Sequence, residues 1–85
     1  MNINELISIV KNKLYEEIDI QNLKINDKSF LHKTHKGNQP DKFHLKIEIQ
    51  SDELKKMSKI DSNKKIYKIL NNEIKEHIHS LQILI

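Results

Sequence analysis

The sequence predicts an α+β domain, a small sheet with helices on one of its faces. Three patterns predict it. Ile3, Leu6, Ile7, Val10 and Leu14 recur at three- and four-residue spacing, the period of one helix face. Leu23 and Ile25, and then Phe43, Leu45, Ile47 and Ile49, alternate with polar residues, the period of a strand. A second helical stripe, Ile66, Ile69, Leu70 and Ile74, precedes a last alternating run to Ile85. The resulting order is α-β-β-α-α-β.

Each element has local reasons. Residues 4–17 form the first helix, because Lys11, Lys13 and Glu17 lie mostly off the apolar stripe. Asn2 or Asn4 can cap it, and Glu5 suits its positive end. The first strand is short, about residues 22–27. Residues 28–41 lack any period and hold the only glycine and the only proline, Gly37 and Pro40. A loop that long in so small a domain is usually functional. The second strand starts at Phe43, with His44, Lys46, Glu48 and Gln50 on its polar face. Ser51 followed by Asp52 and Glu53 is a helix start, giving a helix over 52–58. Asp61 or Ser62 caps the next helix, which runs to about His77. His79–Ile85 reads as the last strand, with His79 on the side of Leu81 and Ile83.

Composition narrows the function. Eighty-five residues suit one domain, with no internal repeat or linker. The 15 basic and 12 acidic residues leave a charge of +3, which permits an anionic partner without requiring one. Every basic residue is lysine, and bidentate capture of guanine edges is mainly arginine work. The start Met1-Asn2-Ile3-Asn4-Glu5 lacks the features of a signal peptide, and no apolar run approaches the roughly 20 residues that span a bilayer. The chain reads as a soluble, cytoplasmic protein. Nothing supports an enzyme: there is no glycine-rich phosphate loop, no thiol nucleophile and no serine triad, and no pairing of Asp27, Glu48 or Glu73 into an acid–base arrangement is evident.

The histidines carry more information. His32, His35 and His44 bracket the long loop, and His79 stands where the last helix gives way to the last strand. With no cysteine, the chain can offer imidazole to a soft metal centre but no thiolate. Any sulfur must come from another molecule. Simpler roles stand beside this one. His32 and His35 can be solvated loop residues or a weak two-ligand chelate, and His44 a cross-strand polar partner. His77, in the last turn of a helix, can complement the helix dipole. A second feature is basic: Lys55, Lys56, Lys59, Lys64, Lys65 and Lys68 face Asp61 alone within their own stretch, either as a solvated helix face or as a nucleic-acid contact.

Four stretches and one further histidine, in this order, carry a resemblance over nearly the whole chain. Asp27-Lys28-Ser29-Phe30-Leu31-His32 resembles an Asp-Glu-Ser-x-x-His segment, with His35 three residues on. His44-Leu45-Lys46-Ile47 resembles His-Phe-Lys-Val. Ile66-Tyr67-Lys68-Ile69-Leu70-Asn71-Asn72-Glu73-Ile74 is similar to Val-Tyr-x-x-Leu-x-x-Glu-Leu, and Ile78-His79-Ser80-Leu81-Gln82-Ile83 to Val-His-Ala-Leu-x-Ile. Together they resemble the BolA family. Three departures stand out. Ser62-Asn63-Lys64 replaces Arg-His-Arg, the loop between His32 and His44 is a few residues longer, and Ser80 stands where Ala or Gly is usual.

The resemblance implies a class II KH-like fold with a three-stranded mixed sheet. It implies an accessory or regulatory protein in iron–sulfur cluster assembly, trafficking or iron sensing. Such a protein binds a monothiol glutaredoxin with glutathione and shares a [2Fe–2S] cluster with it. The partner's thiolates and this chain's His79 and His32 would be the ligands, with His35 the alternative loop ligand; alone, the chain would hold no tightly bound cofactor and be a monomer or weak homodimer. Some BolA-like proteins are described as DNA-binding transcription regulators, and here the six lysines would serve that role. A KH-type RNA module is a third reading, although Met57-Ser58-Lys59-Ile60-Asp61-Ser62 has no glycine where the Gly-x-x-Gly clamp belongs.

Overall fold

The structure is a computed structural model that describes residues 2–29 and 42–85. The element order is α1 (Ile3–Glu17), β1 (Asn22–Asp27), β2 (Phe43–Gln50), α2 (Asp52–Lys55), α3 (Lys59–Ile69), α4 (Asn71–Glu76) and β3 (Ile78–Leu84). Among the described residues the three strands form one mixed sheet in the order β1-β2-β3. The predicted α+β architecture is correct, with one helix more than expected.

α1 begins at an Asn2 N-cap. The Asn2 side-chain oxygen accepts from the Glu5 backbone amide at 2.8 Å, while its side-chain nitrogen donates to the Glu5 carboxylate at 3.2 Å. Leu6, Val10 and Leu14 are buried along one stripe. At α2, Ser51 is fully buried and works in two directions: its hydroxyl accepts from the Leu54 amide at 3.2 Å and donates to the Asp19 carbonyl at 2.7 Å. One side chain thus caps a helix and ties it to the turn after α1.

Three helix boundaries between Asp52 and His77 differ from expectation. α2 stops at Lys55, and Ser58, not Asp61 or Ser62, caps α3 by accepting from the Asp61 amide at 3.0 Å. The earlier start lets Ser62 turn inward, where it is buried and its hydroxyl donates to the Lys59 carbonyl. The helix expected to reach His77 breaks at Leu70, whose φ of −97° and ψ of 17° leave the helical region. Leu70, at the break, and Glu73, in the helix that follows, are both buried. Glu73 is 7% exposed, and Lys13 from α1 donates to one of its oxygens at 2.7 Å. Its other carboxylate oxygen is buried with no hydrogen-bond partner among the described residues.

The core lies between the helices and one sheet face. Leu6, Val10, Leu14 and Ile18 meet Leu45, Ile47 and Ile49 of β2, with Leu54, Ile66, Leu70 and Ile78 closing the layer. β1 and β2 pair antiparallel, so that Leu23 opposes Ile49 and Ile25 opposes Ile47. β2 and β3 pair in parallel, with Leu81 beside Leu45 and Ile83 beside Ile47.

The Ser51 arrangement predicts a measurable cost. Ser51→Ala removes a cap from the buried Leu54 amide and the tie to the Asp19 carbonyl, and should lower unfolding stability by about 2 kcal/mol. Urea denaturation should show a lower midpoint with an unchanged slope.

Candidate functional site

The β2–β3 register contains one irregularity, and it creates the site. Phe43 opposes Ile78 but His44 opposes Ser80, so β3 spends three residues where β2 spends two. The reason lies in the apolar pattern. Ile78 and Leu81 both belong to the core layer, yet residues three apart on a regular strand point to opposite faces. One extra residue must bulge out between them, and that residue is His79.

This corrects two expectations. His79 does not lie on the side of Leu81 and Ile83. It is exposed, and its ring lies against that of His44, with centroids 5.0 Å apart and planes at 59°. His44 in turn is not on an open polar face. It is 4% exposed, and its Nδ1 is hydrogen-bonded to the Ser80 hydroxyl at 2.6 Å. Alternation correctly assigns His44 to the face opposite Leu45, but it does not reveal that a bulged neighbour covers that end of the sheet.

Backbone contacts bring the ends of the intervening segment to the same place. The Lys28 amide donates to the His44 carbonyl at 2.7 Å, and the His44 amide donates to the Ser29 hydroxyl at 3.1 Å. The Phe43 amide donates to the His77 carbonyl at 2.8 Å, and the Lys42 ammonium to the Lys75 carbonyl at 3.3 Å. The chain therefore leaves the described fold beside His44 and re-enters it there. His32 and His35 belong to the segment between, outside the described residues, as do Gly37 and Pro40. His77 is the C-cap of α4 and is half-buried.

Chemically, this end of the sheet presents one exposed imidazole backed by a buried one. No group of three or more His, Cys, Asp or Glu able to hold a metal occurs among the described residues. Imidazole without thiolate fits a shared cluster only as a partial donor set, because a [2Fe–2S] centre takes four ligands and favours thiolates.

The lysines do not make one continuous surface. Lys64, Lys65 and Lys68 border a groove of about 800 Å³ with Lys13, floored by Met57 and Ile69, but Glu16, Glu17 and Asp61 line the same groove. The Lys65 ammonium donates to Glu53 at 2.6 Å. Lys55 and Lys59 instead border a separate depression beside Ile83, Leu84 and Ile85. Lys56 is exposed near the end of α2. Asp61 is therefore not the only acid facing these lysines. Glu16 and Glu17 come from a distant part of the sequence, which no reading of residues 55–68 could anticipate. No helix among the described residues is long and apolar enough to cross a membrane.

Comparison with known proteins places the chain. Residues 14–85 match the family model for BolA-like proteins. The sequence is 31% identical over 75 residues to a Haemophilus influenzae protein named DNA-binding transcriptional regulator BolA, covering 88% of this chain and 70% of that protein. Among solved structures, BolA1 from Arabidopsis thaliana superposes with a TM-score of 0.77 at 29% identity, covering 91% of this chain and 85% of that one. The BolA domain of SufE1 from the same plant gives 0.78 at 27% identity, covering 99% and 91%.

The Glu53–Lys65 pair supplies a pH prediction. The hydrogen bond from Lys65, and then that from the Asp19 amide, hold the Glu53 carboxyl below its ordinary value. A carboxyl lowered in the folded state stabilises the fold while ionised and stops doing so as pH falls through its folded value. The stability gap between wild type and Glu53→Gln should therefore be full well above the ordinary glutamate range and close as pH falls below that range through the lowered folded value. Denaturant titrations across that range would measure it.

Proposed function

This chain belongs to the BolA-like family, and from that premise we propose that it is an accessory protein that binds a monothiol glutaredoxin and shares a [2Fe–2S] cluster across the interface. His79 is this chain's principal ligand. His32 is the loop ligand, with His35 as the alternative. Glutathione and the glutaredoxin supply the thiolates that this chain lacks.

One observation carries the reading: the bulge in β3 lifts His79 out of the sheet, at the place where the segment bearing His32 and His35 begins and ends. A residue that only filled the strand would be paired. His79 is exposed while its neighbour Ile78 anchors the core, so the imidazole is open to a partner and the strand beneath it is held in place. Histidine ligation raises the reduction potential of such a centre and makes ligation depend on protons, which suits cluster transfer or iron sensing better than permanent electron carriage.

A regulatory role on DNA is the second reading. The name of the Haemophilus influenzae relative favours it, as do the exposed Lys64 and Lys68 on α3. The acids lining the same groove and the Lys65–Glu53 pair count against it.

Titration of the protein into cluster-loaded monothiol glutaredoxin, followed by visible absorption and circular dichroism, tests the first reading. A new spectrum should grow in and saturate at one chain per glutaredoxin. His79→Ala should abolish it, and His32→Ala and His35→Ala should rank the loop histidines. A wild-type spectrum that His79→Ala leaves unchanged would sink the proposal. The DNA reading is tested by the salt dependence of duplex binding, and a slope equivalent to fewer than about two phosphates would dismiss it.

A further inference from the structure

The apolar pattern of β3 requires one extra residue between Ile78 and Leu81, but it does not decide which. Both His79 and Ser80 stand between the two core positions, and either could bulge while the other pairs with β2. With His79 paired and Ser80 expelled, Ile78, Leu81 and Ile83 would keep their places against β2. Apolar burial is therefore indifferent to the choice. One polar contact favours the observed arrangement: the hydrogen bond between Ser80 Oγ and His44 Nδ1 at 2.6 Å.

We propose that Ser80 and His44 form a positioning pair that holds the bulge at His79 in place and sets the orientation of its ring. The inference rests on the proposed role of His79 and extends it to two residues that need not touch the cluster. His44 suits the task because it is 4% exposed and its backbone amide is bonded to the Ser29 hydroxyl, so its ring is a fixed reference against which Ser80 registers. The His44 ring is also the surface on which His79 rests, at 5.0 Å between centroids. A hydroxyl at position 80 thus ties the strand beside the presented residue to the wall behind it. It also limits rotation of the His44 imidazole, because the hydroxyl meets Nδ1 whichever of the two carries the proton. Alanine at this position supplies no such contact.

The test uses the full chain with 15N-labelled imidazoles, observed by NMR at a pH well above the ordinary histidine range, alongside titrations with cluster-loaded glutaredoxin. In the wild type, the His44 ring should show nuclear Overhauser contacts to the His79 ring. Ser80→Ala should give a changed His44 Nδ1 shift and weaker ring–ring contacts, an altered visible circular dichroism spectrum in the complex, and an affinity lower by about fivefold, the equivalent of one hydrogen bond. Ser80→Thr should restore all four readouts, which a merely structural loss would not do. Unchanged His44 nitrogen shifts in Ser80→Ala would overturn the positioning pair. So would altered shifts with a complex spectrum and affinity identical to wild type. If the wild type gives no shared spectrum, the cluster reading fails, while the ring nitrogens of the free chain still decide the Ser80–His44 pair.

Discussion

Parallel pairing of β3 with β2 is the constraint on which the rest of this structure depends. A parallel neighbour cannot be reached by a hairpin, so the chain must cross over between the two strands. Everything from Ser51 to His77 is that crossover. Its three short helices bring Leu54, Ile66 and Leu70 onto the sheet face already covered by Leu6, Val10 and Leu14. The same crossover delivers β3 to the sheet at Ile78, which must enter the core at once. The bulge follows from that entry, and the exposure of His79 follows from the bulge.

The site is thus a by-product of packing, made specific by polar detail. Bulges are rare in parallel pairs, and this one sits at the end of the sheet where the segment between Ser29 and Lys42 leaves and returns. The buried polar residues have comparable structural tasks. Ser51 joins the turn after α1 to α2, Glu73 joins α4 to α1 through Lys13, and His44 joins the central strand to β3 through Ser80. Each side chain links elements distant in sequence at a position where an apolar residue would pack but make no directional contact.

Much of the fold is legible in the sequence because period is a local property. The stripe from Ile3 to Leu14 and the alternation from Phe43 to Ile49 predict α1 and β2 closely, and Asn22–Asp27 coincides with the expected first strand. The failures at His79 and at the lysine run share one physical cause: they depend on partners distant in the sequence. Strand parity assigned His79 to the side of Leu81, because parity assumes an unbroken strand and cannot see that Ile78 is also required inside. The spacing of Ile78 and Leu81, three residues within one strand, was the available signal. The break at Leu70 has no glycine or proline to mark it. At the start of α3 the ambiguity is local, because Ser58, Asp61 and Ser62 are equally suited as caps by residue type. The lysine run looked uncompensated because Glu16, Glu17 and Glu53 reach it only through folding.

The central claim is that the bulged imidazole of His79 is offered to a metal centre whose sulfur comes from elsewhere. Pulsed electron paramagnetic resonance of the reduced complex with glutaredoxin would test it most directly, using this chain labelled with 15N only in its histidine rings. The account predicts 15N hyperfine coupling to the reduced cluster, with the coupling from one imidazole lost in His79→Ala. A cluster-bearing complex with no 15N coupling, or with coupling that survives intact in His79→Ala, would contradict it.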